Sequence, residues 1–108
     1  MMEQKYLHRI LRNLRAELNT ALGEQMEKLI LYGSQARGDA RGDSDIDVLI
    51  VLKDDFRSAD VFRKTSKIVA KLSLDNDVVI SRAFASRLQF QESKMPFLMN
   101  VRRDGIAM

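Results

Sequence analysis

Leu29-Ile30-Leu31-Tyr32-Gly33-Ser34-Gln35-Ala36-Arg37-Gly38, followed after five residues by Ser44-Asp45-Ile46-Asp47-Val48-Leu49-Ile50-Val51-Leu52, is the stretch whose reading decides this fold. An apolar run leads into a glycine-bounded turn, a short loop follows, and a second apolar run opens with two acids. The pattern predicts strand, turn, loop and strand. Side chains alternate across a strand, so Asp45 and Asp47 share a face about 7 Å apart. Two neighbouring carboxylates at the mouth of a buried run repel each other, and a divalent cation is the usual compensation. Oxygen ligands favour Mg²⁺ or Mn²⁺, whose shell is completed by water and substrate phosphate. Gly33 lets a ligand approach its backbone closely, and Ser34 adds a hydroxyl beside consecutive amides suited to an anion. A phosphate cradle beside a metal-binding acid pair is the minimum apparatus for chemistry on a nucleoside triphosphate.

The remaining composition narrows the options. At 108 residues one domain spanning 1–108 with a modest core is expected. The chain has no cysteine and one histidine, His8. Disulfides, thiol nucleophiles and multi-histidine zinc sites are therefore excluded. No apolar run approaches a membrane span and no signal peptide is evident, so the cytoplasm is the expected compartment. The net charge of +3 is unevenly spread: residues 33–60 hold seven acids against four bases, while residues 1–22, 61–81 and 82–108 are net basic. A basic periphery around an acidic centre suits a polyanionic nucleotide as well as a nucleic acid. For any individual Lys or Arg, a solvated helix face is at least as good a reading.

Outward from the motif, Leu7, Ile10, Leu11, Leu14, Leu18 and Leu22 recur at helical spacing, which predicts an amphipathic helix over 3–22 stopped by Gly23. His8 lies beside that stripe and reads as a structural position. Residues 28–32 and 45–52 are the two motif strands. The second has apolar residues of both parities, implying cover on both faces beyond the acids. A helix over 58–74 is long enough for a crossover to a parallel strand at 77–81. Asp77 would lead that strand and complete a three-carboxylate site, with Asp75, at the same parity, its competitor. A short helix within 83–95, a break at Pro96 and an apolar segment of Phe97, Leu98, Met99 and Val101 close the chain. Met95, Met99 and Met108 read as core filler or as a partner surface. Arg37 either braces the loop against an acid or touches phosphate. Asp39 and Asp43 read as loop acids, and Arg41-Gly42-Asp43 as loop composition.

Gly33-Ser34-x-Ala36-Arg37-Gly38 followed by Ser44-Asp45-x-Asp47 resembles the signature of the polymerase-β nucleotidyltransferase superfamily. The short length, and an acid at the start of the third strand, resemble its minimal nucleotidyltransferases, the antitoxins paired with HEPN-domain toxins. The resemblance covers nearly the whole chain and implies an α/β (α+β) fold, a small mixed sheet with helices mainly on one face. It implies that Asp45 and Asp47 bind two Mg²⁺ ions (Mn²⁺ being an alternative) and that Asp77 helps hold the catalytic one and activate an acceptor hydroxyl. It also implies that Gly33 and Ser34 hold the β- and γ-phosphates of ATP. AMP would pass to a tyrosine of the HEPN toxin, silencing its RNase activity within a hetero-oligomer. The rivals are neutralisation by binding alone and transfer to a small molecule. Nucleic-acid polymerisation is disfavoured, because no template-holding domain is present.

Overall fold

The computed structural model describes residues 3–38 and 45–108. Asp39, Asp43, the Arg41-Gly42-Asp43 tripeptide and Ser44 lie outside them. Helix α1, Gln4–Leu22, buries the whole predicted stripe from Leu7 to Leu22. Leu11, Leu14 and Leu18 are fully buried, each contributing about 1.5–3 kcal/mol of transfer free energy. His8 is exposed. A 3₁₀ turn at Gly23–Gln25 leads into β1, Met26–Tyr32. The turn α2, Ser34–Arg37, follows, and β2 is Ile46–Leu52. Helix α3, Ser58–Asn76, crosses to β3, Ile80–Ser86. Two short helices, α4 at Arg87–Glu92 and α5 at Pro96–Asp104, precede the two-residue strand β4, Ile106–Ala107.

The sheet order is β3-β2-β1-β4. β1 runs antiparallel to β2 and β4, and β2 runs parallel to β3, as the α3 crossover requires. Alternation splits β2 between two cores. Ile46, Val48, Ile50 and Leu52 pack with α1 and α3, while Leu49 and Val51 pack with Leu98 and Val101 of α5. The long helices therefore cover one face and the two short ones part of the other. Asp47 has the parity of Leu49 and Val51, so it stands on the α4–α5 face, near the start of β2.

The third strand differs from the sequence expectation. Helix α3 continues to Asn76, and Asp77 closes it in the left-handed region at φ 51°, its N–H bonded to the Leu74 carbonyl at 3.3 Å. A short polar side chain tolerates that conformation better than a branched one. Val78 and Val79 lead into the ladder, which begins at Ile80. The strand then runs to Ser86, through residues expected to be helical. Its alternation places Ile80, Arg82 and Phe84 toward α3, and Ser81, Ala83 and Ala85 toward the opposite face. Small and polar residues on that face hid the strand from an apolar-run reading.

Ser86 ends β3 and starts α4 with a reciprocal capping box: its Oγ accepts from Gln89 N–H at 3.1 Å, and the Gln89 side chain accepts from Ser86 N–H at 2.9 Å. Pro96 opens α5 at its first turn, where a missing N–H costs nothing. Arg102 ties the two short helices together, donating to the Phe90 carbonyl at 2.6 Å and the Ser93 carbonyl at 2.7 Å. At the end of the chain Met108 donates its N–H to the Leu29 carbonyl at 2.8 Å, and Arg15 donates to the Met108 carbonyl. Met108 is thereby packed against the main core, whereas Met95 and Met99 are exposed.

Candidate active site

The site forms where β1 ends and β2 begins. Tyr32, the last residue of β1, is the ladder partner of Asp47. Gly33 then turns the chain at φ 76° and ψ −157°, a region open essentially only to glycine. Its carbonyl accepts from the N–H groups of Ala36 and Arg37, both at 3.1 Å, closing α2 into a single turn. Ser34 opens that turn, where N–H groups have no acceptor within their own helix. Gly38 closes it in the left-handed conformation at φ 79°.

Gly33 and Asp47 are in intimate contact. A Cβ on residue 33 would lie 2.5 Å from Asp47 Oδ2 and 3.4 Å from its Cγ. The absence of a side chain at 33 is what gives the carboxylate its place beside the turn. Asp45 is exposed and stands just ahead of the strand, and its charge reaches Asp47. Partial burial, then repulsion from Asp45, raises the Asp47 pKa above the ordinary carboxylate value, with Arg37 opposing. This like-charge pair, with no Cβ intervening at Gly33, offers oxygen donors that could hold a divalent cation. Tyr32 is affected in turn: burial and the Asp47 charge raise its phenol pKa.

Beside the turn, a cavity of about 240 Å³ is lined by Tyr32, Gly33, Arg37, Phe97, Asn100 and Asp104, among others. The Tyr32 and Phe97 rings meet edge to face at 5.3 Å, joining the end of β1 to α5. Arg37 is exposed at the end of α2. It faces both the cavity and the carboxylates, whose charge it partly offsets.

Four of the expected positions, Gly33, Ser34, Asp45 and Asp47, are gathered at this strand end, and Arg37 borders them. Asp77 is not brought to the pair. It is an exposed helix cap, and Asp75 is exposed within α3. Among the described residues no three acids lie close enough together to hold a metal ion. The residue beside Asp47 on β3 is Ser81, whose Oγ points at Asp45 Oδ2 across a long 3.4 Å contact. Sequence reasoning missed Tyr32 and Ser81. Tyr32 was marked only by its place just before the Gly33 turn, and its pairing with Asp47, like that of Ser81, depends on a strand register that the sequence does not mark.

Residues 13–98 match the family described as Polymerase beta, Nucleotidyltransferase. The chain belongs to the polymerase-beta nucleotidyltransferase family. A Methanocaldococcus jannaschii protein named "Putative protein adenylyltransferase MJ0141" is 36% identical over 72 residues, spanning 67% of this chain and 72% of the relative. A toxin–antitoxin crystal structure with AMP-PNP superposes with a TM-score of 0.61 at 17% identity, covering 88% of this chain and 69% of that one. A crystal structure described as "a putative nucleotidyltransferase from Sulfolobus solfataricus" gives a TM-score of 0.59 at 18% identity, covering 98% and 87%. At those identities the two structures establish the shared fold of this nucleotidyltransferase. No described helix is long and apolar enough to cross a membrane.

Proposed function

We propose that this nucleotidyltransferase moves AMP from ATP to a hydroxyl on a partner protein, as the antitoxin of a toxin–antitoxin pair. The observation that carries the reading is the Asp45–Asp47 pair seated against the bare Cα of Gly33, beside a cavity that opens toward α5. The family membership supports nucleotidyl transfer, and the adenylyltransferase name of the M. jannaschii relative supports a protein acceptor.

Asp45 and Asp47 would hold the divalent cation, Mg²⁺ or Mn²⁺, which when bound neutralises the triphosphate and the charge that develops on its α-phosphoryl group. Gly33 seats the Asp47 carboxylate against the turn, and Ser34 offers its hydroxyl and amide to phosphate there. Arg37, facing the same space, adds positive charge. The acceptor oxygen forms a bond to the α-phosphorus as the bond to the bridging α–β oxygen breaks. Pyrophosphate leaves, and the acceptor proton passes to a carboxylate of the pair. The turn and the start of β2, a strand paired on both sides, hold these groups in place, and such positioning supplies much of the rate.

The partner is argued from the surface next to the cavity. Phe97 and Met99 on α5, with Met95 just before it, are exposed beside Asn100 and Arg103. A docked protein would cover these apolar side chains and close the cavity from the α5 side. The acceptor we propose is a tyrosine hydroxyl of a HEPN-domain toxin, whose RNase activity AMP would silence. The deciding experiment incubates the purified chain with ATP, Mg²⁺ and the protein encoded beside it, then weighs both intact. One or more added AMP masses on the neighbour, lost with Asp47→Asn, is the expected result. A stable complex without added mass would favour neutralisation by binding. Neither complex nor transfer would direct attention to small-molecule acceptors.

A further inference from the structure

We propose that Ser81 is a positioning residue of the metal site, taking the place where the sheet would present a third carboxylate, and that the two aspartates hold a single cation until nucleotide phosphates complete its shell. The inference rests on the reading of the acid pair as a metal site. Three observations carry it. The parallel register sets Ser81 directly beside Asp47, and paired residues in a ladder project to the same face. The Ser81 hydroxyl points at Asp45 Oδ2 across a long 3.4 Å contact, so it reaches toward the other acid. Asp77, the carboxylate expected to stand there, is committed to the end of α3, with Val78 and Val79 between it and the first ladder position.

The consequences follow from charge and geometry. A serine hydroxyl is neutral and adds no repulsion to the Asp45–Asp47 pair. Its contact favours one rotamer of Asp45, the exposed member that has no strand ladder to hold it. Two carboxylates balance one divalent ion, and Mg²⁺-type ions are commonly held by one or two carboxylates plus substrate phosphates. The unliganded chain therefore takes up one cation weakly, and the nucleotide raises the affinity. Groups that orient a ligand without touching the metal typically change affinity by about 10–100-fold when removed.

Mn²⁺ binding to the whole chain, followed by loss of the free-ion paramagnetic resonance signal, tests this without any turnover. Wild type is expected to bind one Mn²⁺, more tightly with a non-hydrolysable ATP analogue. Asp77→Asn should bind as wild type does. Ser81→Ala should weaken Mn²⁺ binding about ten-fold, Ser81→Thr should recover it, and Ser81→Asp should tighten binding in the absence of nucleotide. Circular dichroism melts establish that each variant is folded; if Ser81→Ala does not fold, Ser81→Thr and Asp77→Asn still decide the matter. Weakened binding in Asp77→Asn, or unchanged binding in folded Ser81→Ala, overturns the proposal while leaving the metal site intact. Mn²⁺ binding retained in Asp47→Asn, or absent from wild type with the analogue, overturns the site reading and this proposal with it.

Discussion

Gly33→Ala should damage stability and chemistry by two separable routes. The backbone at 33 is in a region where a side chain costs about 1–3 kcal/mol. A middle value of about 2 kcal/mol corresponds to a melting temperature lower by about 8–16 °C for a domain near this size. The second route is steric. The new Cβ would meet Asp47 Oδ2 at 2.5 Å, where ordinary contact begins near 3.4 Å. The carboxylate must retreat by roughly 1 Å, a displacement that costs about 100-fold in rate for a positioned catalytic group. A thermodynamic cycle separates the routes. In an Asp47→Ala background the collision vanishes while the dihedral penalty stays, so Gly33→Ala should cost less there than in wild type, and the difference is the contact itself. Gly38→Ala is the control: it is left-handed too, but among the described residues nothing lies within 4 Å of its would-be Cβ. It should lose about 1–2 kcal/mol and keep its rate per folded molecule. The assays are thermal melts and transfer rates at saturating nucleotide. A Gly33→Ala protein that melts with wild type, or equal costs in both backgrounds, would refute the reasoning.

Other outcomes can be checked with the same purified protein. Asp47→Asn should raise the melting temperature of the metal-free protein at neutral pH by about 2–4 °C while abolishing transfer, because it removes about 0.5 kcal/mol of like-charge repulsion. The pH trend shares that cause. The folded chain holds the Asp47 proton more tightly than the unfolded chain does. This contribution to stability is full below the ordinary carboxylate pKa and is lost as pH rises through the raised one. Melts from acid to neutral pH should show the loss in wild type, relative to Asp47→Asn, and added Mg²⁺ should remove the difference. Arg102→Ala should destabilise by about 1.5–3 kcal/mol and speed amide exchange around α4. Arg102→Lys should not rescue it, since one ammonium lacks the fork that serves two carbonyls. Ser86→Ala should cost about 1 kcal/mol through the lost cap, read from denaturant midpoints.

The motif region was legible because its signals reinforce each other. The Gly33 turn, the acid parity at 45 and 47, and the two-sided apolar run of β2 each fix a local geometry, and together they leave one arrangement. Helix α1 was equally plain, since six aliphatic residues at helical spacing admit no other reading. The start of β3 was not. Val78-Val79-Ile80 looks like a strand opening on Asp77, but hydrogen bonding to β2 selects Ile80 as the first pair, and the left-handed cap at Asp77 absorbs the acid. Alanines at 83 and 85 give no apolar-run signal, although they are the right size beneath α4 and α5. Pro96 was ambiguous by nature, because proline breaks a helix interior yet suits a helix's first turn; α4 stops at Glu92 and Pro96 opens α5.

The split personality of β2 makes its register a built-in quality control. Shifting its pairing by one residue would turn Asp47 into the core beneath α1 and expose Val48 and Ile50 to the short-helix side. A misregistered molecule could not persist as a folded but inactive enzyme, because the error that unseats the carboxylates also dismantles the core. Mutational surveys of this strand should therefore find few variants that are well expressed and misaligned. Loss of function there should divide into unfolded protein and well-folded protein altered at Asp47 alone.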